Sequence, residues 1–84
     1  MTPLLADIVG LTGSFLFIGA FGYANFSPSM DKVLFNVVNL VGAVLLLTSL
    51  SVHFNLAAVV LEAAWACIAF AGLVGALRAR RTGG

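Results

Sequence analysis

Three long apolar runs take up most of this chain and leave it few ways to fold. Ile8 to Phe26 and Val33 to Val52 hold no charged residue, and Phe54 to Leu77 holds one, Glu62. Each run is close to the roughly 20 residues that carry a helix across about 30 Å of hydrocarbon. Hydrophobic residues make up 62% of the 84 positions and charged residues 8%, against about 25% charged in an ordinary soluble domain. A soluble chain this short buries too small a fraction of its surface to hide so much apolar area. A lipid bilayer removes that difficulty. A helix lying on a membrane surface needs a polar face, and a transmembrane barrel needs alternating strands; these runs have neither. The fold class expected is all-α, an integral membrane bundle of three transmembrane helices.

The breaks between the runs set the boundaries. Asn25-Phe26-Ser27-Pro28-Ser29 ends the first helix, because proline lacks an amide proton and favours a turn. Ser29 or Asp31 can cap the second helix by accepting hydrogen bonds from its free amides, and Asn55 can cap the third. The break Ser51 to Asn55 is short, so helices two and three should form a tight antiparallel hairpin. The reading is one domain over residues 1–84, with spans at about 4–25, 32–52 and 55–77 and a polar, basic tail at 78–84. The segment before the first run has no basic residue and carries Asp7 instead, so the run reads as a retained span, not a cleaved secretory leader.

Charge gives an expected orientation. Lys and Arg collect on the cytoplasmic side of short loops. Arg78, Arg80 and Arg81 close to the C-terminus, with Lys32 in the first loop, place those segments inside a bacterial inner membrane. Three spans then put the N-terminus and the His53 loop outside, and neither outside segment contains Lys or Arg. Tyr23 and Phe26 fit an inner aromatic belt. A net charge of +1 offers no basic stripe for nucleic acid. The one cysteine, Cys67, makes no internal disulfide and reads as a small buried apolar residue. His53 reads as a solvated loop histidine, and with no convergent ligands no metal or other cofactor is expected.

Glu62 is the sharpest candidate. It lies about 10 Å into the third helix at 1.5 Å per residue. A carboxylate in hydrocarbon costs a few kcal/mol or more, so it should face protein or water. Thr12 and Ser14 lie at a similar depth on the first helix, and a hydrogen bond from one of them to Glu62 is expected. Such a group acts as a structural latch, in proton or substrate chemistry, or as a contact to a partner's Arg or Lys. Asn36 and Asn39 are three apart on the second helix, and Asn39 continues as a stripe with Gly42, Leu46 and Ser49. Side-chain amides bond across membrane helices for about 0.6 to 2 kcal/mol. The two asparagines therefore read as an interhelical clasp or the lining of a small pocket.

Small residues mark packing faces. Ala63, Cys67, Ala71 and Gly75 form a ridge at four-residue spacing on helix three, and the Glu62 face, with Ala58, Ala66 and Ala69, is also small. Gly10, Gly13 and Ser14 share a face of helix one. Small faces let helix backbones approach closely, so helix three can pack both inside the chain and against a second one. Trp65 is too deep for an interface anchor and reads as packing beside Glu62.

The pattern Asn36-x-x-Asn39-Leu40-x-Gly42-Ala43, then Phe54-Asn55-Leu56, then Glu62-x-x-Trp65 resembles a family of small uncharacterised three-span bacterial inner-membrane proteins. The resemblance runs from the glycine-rich first helix to the basic tail. It implies that Asn39, Asn55, Glu62 and Trp65 belong to that family's polar pattern, and it implies no mechanism. Length and span number also match the bacterial sugar half-transporters, but the proline-glutamine pair of their first helix is missing here, since the chain has no glutamine. No nucleophile–base set is visible, so no enzyme is expected and no catalytic residue is assigned. The function expected is a non-enzymatic accessory or stabilising subunit of a larger inner-membrane complex, its partners being the lipid bilayer and other membrane subunits or further copies of itself. The alternative is a homo-oligomeric transporter or channel using Glu62, Asn36 and Asn39.

Overall fold

A computed structural model of the chain describes residues 1–83, with side chains described through Arg81; Gly84, the end of the expected tail, lies outside the described residues. It contains three helices, α1 (Pro3–Phe26), α2 (Lys32–Leu50) and α3 (Leu56–Gly83). All three are long and apolar enough to cross a membrane. Thr2 caps α1, its Oγ1 accepting the Leu5 amide at 3.1 Å, and Pro3 takes the first turn, where its missing N–H costs nothing. Asp31 caps α2 through the Val33 and Leu34 amides at 2.9 and 3.3 Å, and Asn55 accepts the Ala58 amide at the start of α3 at 3.2 Å.

The expected polar tail after Leu77 is instead helix: α3 runs on through Arg78, Arg80 and Arg81 to Gly83. Nothing from Arg78 to Arg81 breaks a helix, and Ala and Arg are among the best helix formers. At 28 residues α3 is about 42 Å long, which matches the 45 Å long axis of the molecule and exceeds a ~30 Å hydrocarbon core.

The order of packing is α1 on α2 and α2 on α3; no Cα of α1 comes within 8 Å of one in α3 among the described residues. The α1–α2 crossing is built from residues without bulk. A Cβ added to Gly13 would lie 2.8 Å from the Gly42 carbonyl oxygen, and one added to Gly42 would lie 3.0 Å from the Phe17 ring. Ala6 and Ala20 on α1 and Ala43 on α2 are buried. Ser49 donates from Oγ to the Ala6 carbonyl at 2.7 Å, and Gly10 leaves the room, since a Cβ there would meet that Oγ at 2.7 Å. Ser49→Ala should cost about 1 kcal/mol, the scale of a hydrogen bond between membrane helices, measured as a lowered unfolding midpoint in detergent.

Among the described residues the buried apolar side chains are the alanines Ala6, Ala20, Ala43 and Ala69, and no large side chain is fully buried. Phe15 (69% exposed), Ile68 (69%) and Phe70 (59%) lie on the outside. The accessible surface is 5524 Å², above the roughly 4,700 Å² of a soluble monomer of this mass. An apolar exterior around a small-residue interior is the arrangement lipid favours, where close backbone packing does the work that burial from water does elsewhere.

Candidate functional site

On α3 the inward stripe holds Glu62, Trp65, Ala66, Ala69 and Gly72, all buried or half-buried. Trp65 donates its indole N–H to Asn39 Oδ1 at 3.2 Å, and Asn39, 3% exposed, donates its own amide to the Phe35 carbonyl at 2.8 Å. Phe17 and Phe21 of α1 lie against the indole with ring centroids at 5.6 and 6.1 Å. Trp65 therefore joins all three helices, packing toward Phe17, Phe21 and Asn39. Asn36 donates its side-chain amide to the Lys32 carbonyl at 2.8 Å and packs against Gly72, where a Cβ would come within 2.6 Å of its Oδ1. Asn39→Leu removes the acceptor and strands the indole N–H. The expected result is a loss of about 1 kcal/mol in detergent unfolding, with Trp65 emission moved to shorter wavelength.

The expected hydrogen bond from Thr12 or Ser14 to Glu62 is not made. Thr12 Oγ1 donates to the Ile8 carbonyl and Ser14 Oγ to the Gly10 carbonyl, both within α1. The faces do not match. At about 100° per residue Glu62 and Ile68 point roughly 120° apart on α3. Ile68 lines the cleft beside α1, so Glu62 sits at the other edge of the α2–α3 contact. The glutamate is half-buried, and its Oε2 is enclosed with no hydrogen-bond partner among the described residues.

Asn36 and Asn39 form part of the floor of a cleft of about 220 Å³, together with Phe35. Phe21 of α1 forms one wall; Trp65, Ile68 and Ala69 of α3 form the other. The cleft exists because α1 and α3 pack on different sides of α2 without closing on each other. Glu62 does not line it.

The ridge Ala63, Cys67, Ala71 and Gly75 is exposed along its length, so Cys67 is not the buried residue expected from its type. Of the α1 residues read as packing, Gly13 is buried at the α2 crossing and Gly10 abuts Ser49.

Each end of the bundle carries a polar tie that the spacing of residues did not reveal. His53 is exposed but not alone: its Nε2 lies 3.0 Å from Asp7 Oδ1 and 3.3 Å from the Pro3 carbonyl, linking the α2–α3 loop to the start of α1. At the other end Arg80 Nη2 lies 3.1 Å from Asp31 Oδ1, and the Asp31 amide donates to Tyr23 Oη at 2.7 Å. The amides at the start of α2, chiefly that of Leu34, and the Arg80 guanidinium hold the Asp31 carboxyl below the usual aspartate range. Such ties link residues 46 and 49 positions apart, which only the fold brings together.

A protein-family model matches residues 6–81, across all three helices. The chain belongs to this family. It is a family of uncharacterised proteins, so membership carries no activity to the site. No curated protein and no solved structure matches the chain. The site must be read from its own chemistry: an orphaned carboxyl oxygen, a tryptophan–asparagine bridge, an apolar cleft and an exposed ridge of small residues on three apolar helices.

Proposed function

We propose that this small helical membrane protein is a non-enzymatic accessory or stabilising subunit of a larger inner-membrane complex. The observation that carries the reading is the half-buried Glu62 carboxyl, whose Oε2 has no donor among the described residues. A buried polar atom left unpaired costs about 1–3 kcal/mol, and a group kept at that cost is accounted for by a donor on another subunit. The exposed ridge from Ala63 to Gly75 lies on the same helix and would let a neighbouring backbone approach. In this reading Arg78, Arg80, Arg81 and Lys32 face the cytoplasm and the His53 loop faces outward.

The test is to enlarge the ridge with Ala71→Leu or Gly75→Leu, both at exposed positions where the chain's own fold tolerates bulk. Either change should detach the protein from its complex during mild detergent extraction while leaving its own unfolding midpoint in place. Association that survives both changes excludes this interface.

A homo-oligomeric transporter or channel is the second reading and draws on the same polar groups. Within one copy Asn36 and Asn39 line the cleft and Glu62 does not, so a polar path through all three needs more than one chain. It predicts that Glu62→Gln alters a flux in proteoliposomes.

A further inference from the structure

We propose that the cleft between α1 and α3 holds an acyl chain of an anionic phospholipid, with the lipid phosphate between Lys32 and Arg80. The walls fit the chain. Phe21, Phe35, Ile68 and Ala69 offer apolar surface. The 220 Å³ of space takes roughly seven groups of methylene or water size at about 30 Å³ each.

The position of the basic groups fits the headgroup. Lys32, Asn36 and Asn39 are spaced at i, i+4 and i+7, so the exposed Lys32 lies on the cleft-side face of α2, one turn beyond Asn36. The rise from Lys32 to Asn39 is about 10 Å, a depth that leaves the exposed ammonium at the edge of the apolar region. Arg80 comes from the opposite wall. Its guanidinium reaches Asp31, the residue before Lys32, so the two basic groups lie at the same end of the bundle. A guanidinium carries five N–H donors, and the bond to Asp31 occupies one edge. All four Lys and Arg residues of the chain lie at this end, with Asp31 as the nearby acid. Charge complementarity therefore selects an anionic headgroup over a zwitterionic one. Basic residues near a membrane surface contribute about 1 kcal/mol each toward anionic lipid.

The chain's one tryptophan, Trp65, lines the cleft and reports its occupant directly. The full chain is reconstituted in phosphatidylcholine vesicles containing a minority of phosphatidylglycerol, with bromines at mid-chain of either one lipid or the other. Bromine quenches tryptophan only at short range. Brominated phosphatidylglycerol should quench Trp65 about fivefold more strongly per molecule than brominated phosphatidylcholine, the equivalent of ~1 kcal/mol. Lys32→Gln should abolish most of that preference. Arg81→Gln removes the same charge from a different face of α3 and should retain it. Equal loss in the two variants would mean that general surface charge, not this cleft, selects the lipid, and would overturn the proposal. So would equal quenching by both lipids in the unaltered chain. Trp65 shielded from both lipids would assign the cleft to another protein segment and would overturn it as well.

Discussion

Gly13→Leu should separate α1 from α2 and give the largest loss of stability of any single change in the apolar region. The reason is the nearest neighbour. A side chain at residue 13 meets the Gly42 carbonyl oxygen at 2.8 Å, then Leu46 at 3.1 Å and Leu45 at 3.2 Å. A backbone oxygen cannot swing aside as the end of a flexible side chain can, so the helices must part. Parting them also breaks the Ser49–Ala6 hydrogen bond and opens the aromatic contacts of Phe17 with Trp65. Overpacking a tight site costs about 1–3 kcal/mol; Gly13→Ala should fall in that range and Gly13→Leu at its top or above. Gly19→Ala and Gly22→Ala are the controls, because nothing lies within 4 Å of a Cβ at either position. They should be neutral or gain up to about 1 kcal/mol from helix propensity. Unfolding by SDS in mixed micelles, followed by Trp65 fluorescence, gives all four values. A Gly13→Leu protein as stable as the unaltered chain would contradict the crossing described here.

Glu62→Leu should act in the opposite sense on the isolated chain. Removing an enclosed carboxyl oxygen that has no donor relieves a cost of about 1–3 kcal/mol, so the purified variant should unfold at higher SDS than the unaltered protein. The same change should weaken association with the complex in the native membrane. This combination, gain alone and loss in assembly, distinguishes a group kept for a partner from one kept for the fold. A fall in the stability of the isolated chain would make Glu62 an internal latch and would remove the observation on which the proposed function stands.

The residues explain why some of this architecture was legible in sequence and some was not. Helix number and approximate extent follow from run length and from Pro28, Asp31 and Asn55, because hydrophobicity and capping are local properties. The end of α3 was not legible: the arginines signal the membrane boundary, and a helix can cross that boundary without ending. Depth along a helix is also local, since it follows from residue count and the rise per residue. Azimuth is not. Whether Glu62 meets α1 depends on which side of α2 each neighbour packs, and small-residue faces on both sides of α3 left that undetermined. The stripe Asn39, Gly42, Leu46 and Ser49 did carry a signal, since Asn39 bonds Trp65, Gly42 meets Gly13 and Ser49 bonds Ala6. It does not say which helix each residue faces: Asn39 turns to α3, Gly42 and Ser49 to α1. The ties of His53 to Asp7 and Arg80 to Asp31 had no signal of their own, because any exposed charge can find a distant partner once the helices have packed.

The reading as a whole rests on whether this chain works inside a larger assembly. Native mass spectrometry of the tagged protein, extracted from its own membrane in mild detergent, decides that directly. The expected result is stoichiometric release with a larger membrane complex and loss of that species on Gly75→Leu. A protein found alone, or bound only to copies of itself, would contradict it.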